Sequence, residues 1–171
     1  MAIIIVETLS DTPLTPDEPT DVDFRILNCL QERNGTWRYS LLSRDRHRML
    51  CTFDSPDAES VRESYRKAGG FFNRIWTGEH LSPVEPLANR QMNALMIVES
   101  FSSSGFSDPW WHKLLSSYVE QETDWIQSYR SLDQSRLVCE LNTANSEAIA
   151  NAYDQLAFPY DRIWPAILIQ P

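Results

Sequence analysis

Two lengths of this chain share a pattern of landmarks. Displaced by 88 positions, the sequence lays Trp37 on Trp125, Ser40 on Ser128, Ser43 on Ser131, Asp45 on Asp133 and Arg48 on Arg136. The register continues without a gap through Cys51 and Cys139, Glu59 and Glu147, and Tyr65 and Tyr153, to Arg74-Ile75-Trp76 and Arg162-Ile163-Trp164; even Pro83 falls on Pro171. Ile5-Val6-Glu7 matches Ile97-Val98-Glu99 at a slightly larger displacement, so the Pro-, Asp- and Thr-rich loop 10–20 is a few residues longer in the first copy. Solenoid repeats run about 20 to 50 residues, so a period this long is a whole folding unit.

Each copy parses in the same way. Segments 3–7 and 95–101 are apolar runs of strand length. Residues 22–33, closed by Asn34-Gly35, read as a helix; Asp108-Pro109 opens its counterpart, with Trp110, Trp111, Leu114, Leu115, Tyr118 and Val119 at helical spacing. Two strands follow, 36–42 and 48–53, around the polar turn 43–46, matched by 124–130 and 136–141. Ser55-Pro56 then caps a second helix with the stripe Ala58, Val61, Tyr65 and Ala68, ended by Gly69-Gly70. Ile149, Tyr153 and Leu156 are the matching stripe. Final strands start near Phe72 and Tyr160.

Strand, helix, strand, strand, helix, strand is the ferredoxin-like βαββαβ order, with helices on one face of the sheet. The expected fold class is therefore α+β, two tandem ferredoxin-like units packed sheet to sheet as a pseudo-dimeric α/β barrel. The expected division is a first repeat at 1–83, a linker at 84–92 and a second repeat at 93–171.

Composition narrows the function. A net charge of −9 disfavours nucleic acid and anionic membrane surfaces, which call for clustered Lys and Arg. Three cysteines without a CxxC pair point to a reducing, cytoplasmic setting. The opening run 2–6 is too short for a signal sequence and lacks a basic flank. No stretch reaches the length of a membrane span.

The strand order puts the carboxyl end of each first strand beside the amino ends of the third and fourth. That juxtaposition brings Glu7 toward Arg48 and Arg74, and Glu99 toward Arg136 and Arg162. With Trp37, Trp125, Tyr39 and Gln127 as walls, these residues make a candidate polar mouth for an anionic small molecule. The same pattern also describes an ion-pair network tying strands together. His47, His80 and His112 show no paired metal-ligand spacing. Cys51 and Cys139 alternate with apolar residues as buried small hydrophobes do. The chain has no glycine-rich phosphate loop and no Ser-His-Asp order.

The stretch Leu50-Cys51-Thr52-Phe53-Asp54-Ser55-Pro56, with Ile5-Val6-Glu7 and Trp37-Arg38-Tyr39-Ser40-Leu41, resembles the small ferredoxin-like family represented by a nickel-binding actinobacterial protein. That family is similar to the dimeric α/β-barrel superfamily. Its members often carry a strand ending in Val-Glu, a Trp-x-His-Ser-Tyr strand and a Cys-x-Tyr-x-Ala-Pro junction. The resemblance implies nickel or another divalent metal as cofactor, although Tyr39 and Gln127 stand where the family has histidine and nickel favours imidazole. It also implies a small-molecule ligand as partner and leaves room for a further homo-oligomer. The expected function is small-ligand binding. The alternatives are a small-molecule enzyme of the superfamily, monooxygenase or isomerase in type, using Glu7 or Glu99 as acid or base, and a non-catalytic interaction module using the Trp110-Trp111 surface.

Overall fold

A computed structural model describes residues 1–82, 90–91 and 93–171. The expected linker, together with Pro83, lies almost wholly outside them. The described residues form a mixed α/β protein of four helices and eight strands: β1 (Ala2–Leu9), α1 (Asp21–Gln31), β2 (Thr36–Ser43), β3 (Arg48–Ser55), α2 (Ala58–Ala68), β4 (Arg74–Leu81), β5 (Leu95–Phe101), α3 (Asp108–Glu120), β6 (Asp124–Ser131), β7 (Arg136–Asn142), α4 (Ser146–Gln155) and β8 (Arg162–Ile169). They group into two compact units, Met1–Gly78 with Ile167–Pro171, and Glu79–Ala166.

In the first unit β1 is central, antiparallel to β3 on one side and β4 on the other, with Val6 opposite both Cys51 and Ile75. β2 pairs with β3 beyond it. Helices α1 and α2 cover the face that carries Ile4, Val6, Cys51, Phe53 and Ile75. Burying a side chain of this size is worth about 1.5 to 3 kcal/mol relative to leaving it exposed. The opposite face, with Ile5, Tyr39, Leu41, Leu50 and Thr52, is buried as well.

The second unit repeats the plan. β5 is central between β7 and β8, with Val98 opposite Cys139 and Ile163, and β6 pairs beyond β7. Helices α3 and α4 pack on Met96, Val98, Leu137, Cys139 and Leu141.

Local cues act as the sequence suggests, with some boundaries moved. Gly69 caps α2 at φ 75°, a left-handed value that glycine adopts without strain. Gly35 follows α1 because a Cβ there would meet Leu30 Cδ1 at 2.5 Å. The turns after β2 and β6 are copies of each other: Ser43 Oγ donates to Asp45 Oδ1 as Ser131 Oγ does to Asp133 Oδ1, both at 2.6 Å, and Arg46 and Gln134 both take positive φ. The cap of α2 is Asp57, whose carboxylate accepts from Ser60 N; Ser55 remains in β3. β4 and β8 begin at Arg74 and Arg162, two residues later than expected. Val119, read as part of the apolar stripe of α3, is exposed.

Candidate functional site

The two carboxylates singled out in the sequence sit at equivalent places, and tryptophans hold them. Glu7 lies opposite Arg74 in the β1/β4 register. Its Oε2 accepts from Arg74 Nη1 at 3.0 Å and its Oε1 from the Trp76 indole N–H at 2.8 Å. In the second unit Glu99 lies opposite Arg162, and Trp164 Nε1 donates to Glu99 Oε2 at 2.7 Å. The sequence reading brought Arg74 and Arg162 toward these carboxylates, as the register has them, but missed the indole donors. The signal was present in Arg-Ile-Trp, since residues two apart on a strand share a face.

Other candidates are more dispersed. Arg48 stands opposite Leu9, with Leu50 opposite Glu7. Arg136 stands opposite Phe101 and places its guanidinium 5.1 Å from that ring centre. Trp37 and Trp125 belong to the helix-covered faces, away from Glu7 and Glu99. Each indole donates to a serine three residues on, Ser40 at 3.0 Å and Ser128 at 2.9 Å. A register shift follows each tryptophan, and Tyr39 and Gln127 come out opposite Thr52 and Glu140 on the same faces as Glu7 and Glu99. An extra residue at such a bulge breaks the two-residue period of a strand.

Gln127 belongs to a chain of contacts that the sequence did not announce. Glu140, fully buried, receives Arg90 Nη2 at 2.9 Å and Gln127 Nε2 at 2.7 Å on Oε2. The Gln127 carbonyl oxygen lies 2.9 Å from His80 Nε2, and the His80 ring stacks on Tyr129 at 5.2 Å. The Trp110-Trp111 pair packs inward: Trp110 stacks on Phe158 at 4.1 Å, and Trp111 is buried.

The donor set does not fit nickel. A phenol and an amide occupy the histidine positions, and Glu7 already accepts two charge-assisted or indole hydrogen bonds. Burial pushes the Cys51 thiol up to about 11, which disfavours the thiolate that a metal would need. No group of three or more His, Cys, Asp or Glu is arranged to hold an ion among the described residues.

A cleft opens instead on the helix-covered side of the first unit. Its volume is about 80 Å³, bounded by Ile26 and Leu27 of α1, Trp37 and Met49 of the sheet, Tyr65 of α2, and Pro16 and Pro19 of the long loop. Ser40 and Cys51 form its polar floor, joined by a 2.8 Å contact from Ser40 Oγ to Cys51 Sγ. Asp23 completes the wall.

The second copy carries different side chains at the matching sequence positions. The displacement that superposes Trp37 on Trp125 also puts Asp23 on Trp111 and Leu30 on Tyr118. Trp111 meets Trp125 edge-on at 5.2 Å, and the Tyr118 and Tyr153 hydroxyls lie 2.6 Å apart, all within the core of that unit. Two aromatic side chains thus occupy the second copy where the first has a carboxylate and a leucine.

These features define a mixed α/β protein with a repeated βαββαβ element order and a small cleft open to solvent on one side. Residues 4–77 match the model of the SCO4226-like nickel responsive protein family. No curated protein matches the chain. Among solved structures, a Fusobacterium nucleatum protein named "Putative monooxygenase" is 10% identical, with 98% of this chain and 91% of that one covered and a TM-score of 0.48. An anthrone oxidase-like protein is 10% identical over 99% and 90% of the two chains, with a TM-score of 0.47. Likenesses at this level carry no inference about activity. No helix among the described residues is long and apolar enough to cross a membrane.

Proposed function

We propose that this chain is a small-molecule-binding protein made of two ferredoxin-like repeats, 1–83 and 93–171, joined at 84–92, with its ligand seated in the cleft of the first unit. The observation that carries this reading is the cleft on the helix-covered side of the first unit, at whose wall Asp23 stands where the matching position of the second copy carries Trp111. Buried apolar space left open costs dispersion contacts, and a guest molecule restores them. The second unit fills the corresponding position with Trp111, and the first leaves it to Asp23 beneath the loop that carries Pro16 and Pro19. Ser40 and Cys51 give the floor a hydroxyl and a thiol that orient a guest. Glu7 and Glu99, each bonded to an indole N–H, support a role in tying strands together, and the fit with nickel is poor for the reasons above.

The test is a titration of the neutral one-ring probe benzyl alcohol, followed by the amide and indole resonances of the protein. Shifts centred on Trp37, Met49 and Leu27, and their loss in a Leu27→Trp variant that fills the space, are expected. Shifts that survive the filling substitution unchanged, or that centre on residues elsewhere, overturn the proposal.

A further inference from the structure

We infer that the cleft of the first unit selects a small organic cation, an amine or its equivalent carried on a flat apolar body. This inference rests on the ligand-binding reading above and names the chemistry that the site favours.

Charge is the first argument. Of the described residues that line the cleft, Asp23 is the one charged group, and none is Lys, Arg or His. A half-buried carboxylate in an otherwise apolar wall, without a cation of its own, attracts a positive guest and repels a negative one.

Geometry is the second. Asp23 is the third residue of α1 and closes a capping box with Thr20. Both the Thr20 backbone N–H and its hydroxyl donate to Asp23 Oδ2, each at 2.7 Å. The helix cap therefore uses one carboxylate oxygen and fixes the side chain, leaving Oδ1 to accept from a guest. The side chain's field also reaches the floor. Burial raises the Cys51 thiol first, with Asp23's charge adding to it, and Tyr65 is raised by burial, by Cys51 and then by Asp23.

The aromatic lining is the third. Trp37, Phe53 and Tyr65 border the same space, and aromatic faces attract cations by about 0.5 to 2 kcal/mol, most strongly when desolvated. The comparison within the chain is consistent. Where Trp111 replaces the carboxylate, the aromatic ring itself takes up the room and packs on Trp125.

The experiment uses the full chain and three one-ring probes of nearly equal size: benzylamine, benzyl alcohol and benzoate. NMR titration should rank benzylamine about tenfold or more above benzyl alcohol, with benzoate the weakest. Asp23→Asn keeps an oxygen for the Thr20 cap and removes the charge; it should erase the advantage of benzylamine and leave benzyl alcohol unchanged. Equal binding of amine and alcohol to the native chain, with no effect of Asp23→Asn, overturns the cation inference while the cleft reading stands. No shift in the cleft with any of the three probes overturns both. Far-UV circular dichroism of the variant shows that α1 is retained.

Discussion

The indole N–H of Trp164 donates to Glu99 at 2.7 Å, and a donation of the same kind joins Trp76 to Glu7 in the other copy. In both copies the carboxylate is at the end of the central strand and the tryptophan is on the neighbouring final strand, so the bond ties the two together. Both partners are buried. A hydrogen bond to a charged, buried group is worth more than a neutral one, because the abandoned carboxylate would remain out of water.

Replacing Trp76 or Trp164 with Phe should therefore destabilise the protein by about 2 kcal/mol, read as a lowered midpoint in equilibrium urea unfolding. Pairing Trp76→Phe with Glu7→Gln should cost less than the two changes added together, since the residues share one interaction. Additive costs would show that the indole bond is not what holds the carboxylate.

The pair of partly exposed Arg90 and buried Glu140 makes a larger effect. Glu140 is inaccessible to solvent, and Arg90 supplies a charge-assisted bond at 2.9 Å. Removing one partner of such a pair typically costs about 3 to 5 kcal/mol, so Arg90→Met should be among the most damaging single changes in the second unit. Glu140→Gln in the same chain should recover a large part of that loss by removing the charge. Thermal unfolding of the single and double variants checks this, and no recovery in the double variant would count against a charge effect.

The long loop of the first copy is held from the surface. Arg46 Nη1 and Nη2 reach Asp17 Oδ1 and Oδ2, both at 2.9 Å, and Leu14 N donates to Arg46 O at 2.7 Å. The hydrogen-bonded Arg46 guanidinium holds the Asp17 carboxyl down at about 2, below its usual 3.8. A carboxyl lowered in the folded state stabilises it fully above pH 3.8 and loses that contribution as pH falls through 2. Carboxyl NMR should place the Asp17 midpoint near 2, and Arg46→Ala should return it toward 3.8 and speed exchange of the Leu14 amide. Because the loop carries Pro16 and Pro19, the same variant should weaken benzyl alcohol binding.

Several elements could be read directly from residue order. Displacement of the sequence on itself gave the paired Trp, Ser, Asp, Cys and Arg landmarks, and these recur in space as matching turns, registers and bulges. Gly69 and the stripe of Val61, Tyr65 and Ala68 follow from local chemistry, and the centrality of β1 from the order of the elements. The faces of Trp37 and Trp125 did not, because a bulge after each changes the alternation that face assignment relies on. The network of His80, Gln127, Glu140 and Arg90 was hidden for another reason. Its members come from β4, β6, β7 and the residues before β5, and no short-range pattern records which strands become neighbours.

Taken alone, the sequence determined the repeated plan and the kinds of element within it, since propensity, capping and hydrophobic period act over a few residues. Only tertiary structure decided how the two helix-covered cores are packed and where a cleft opens in the first. That outcome depends on how α1 and α3 set Asp23 and Trp111 against the sheet, and packing is a property of side chains brought together from distant parts of the chain.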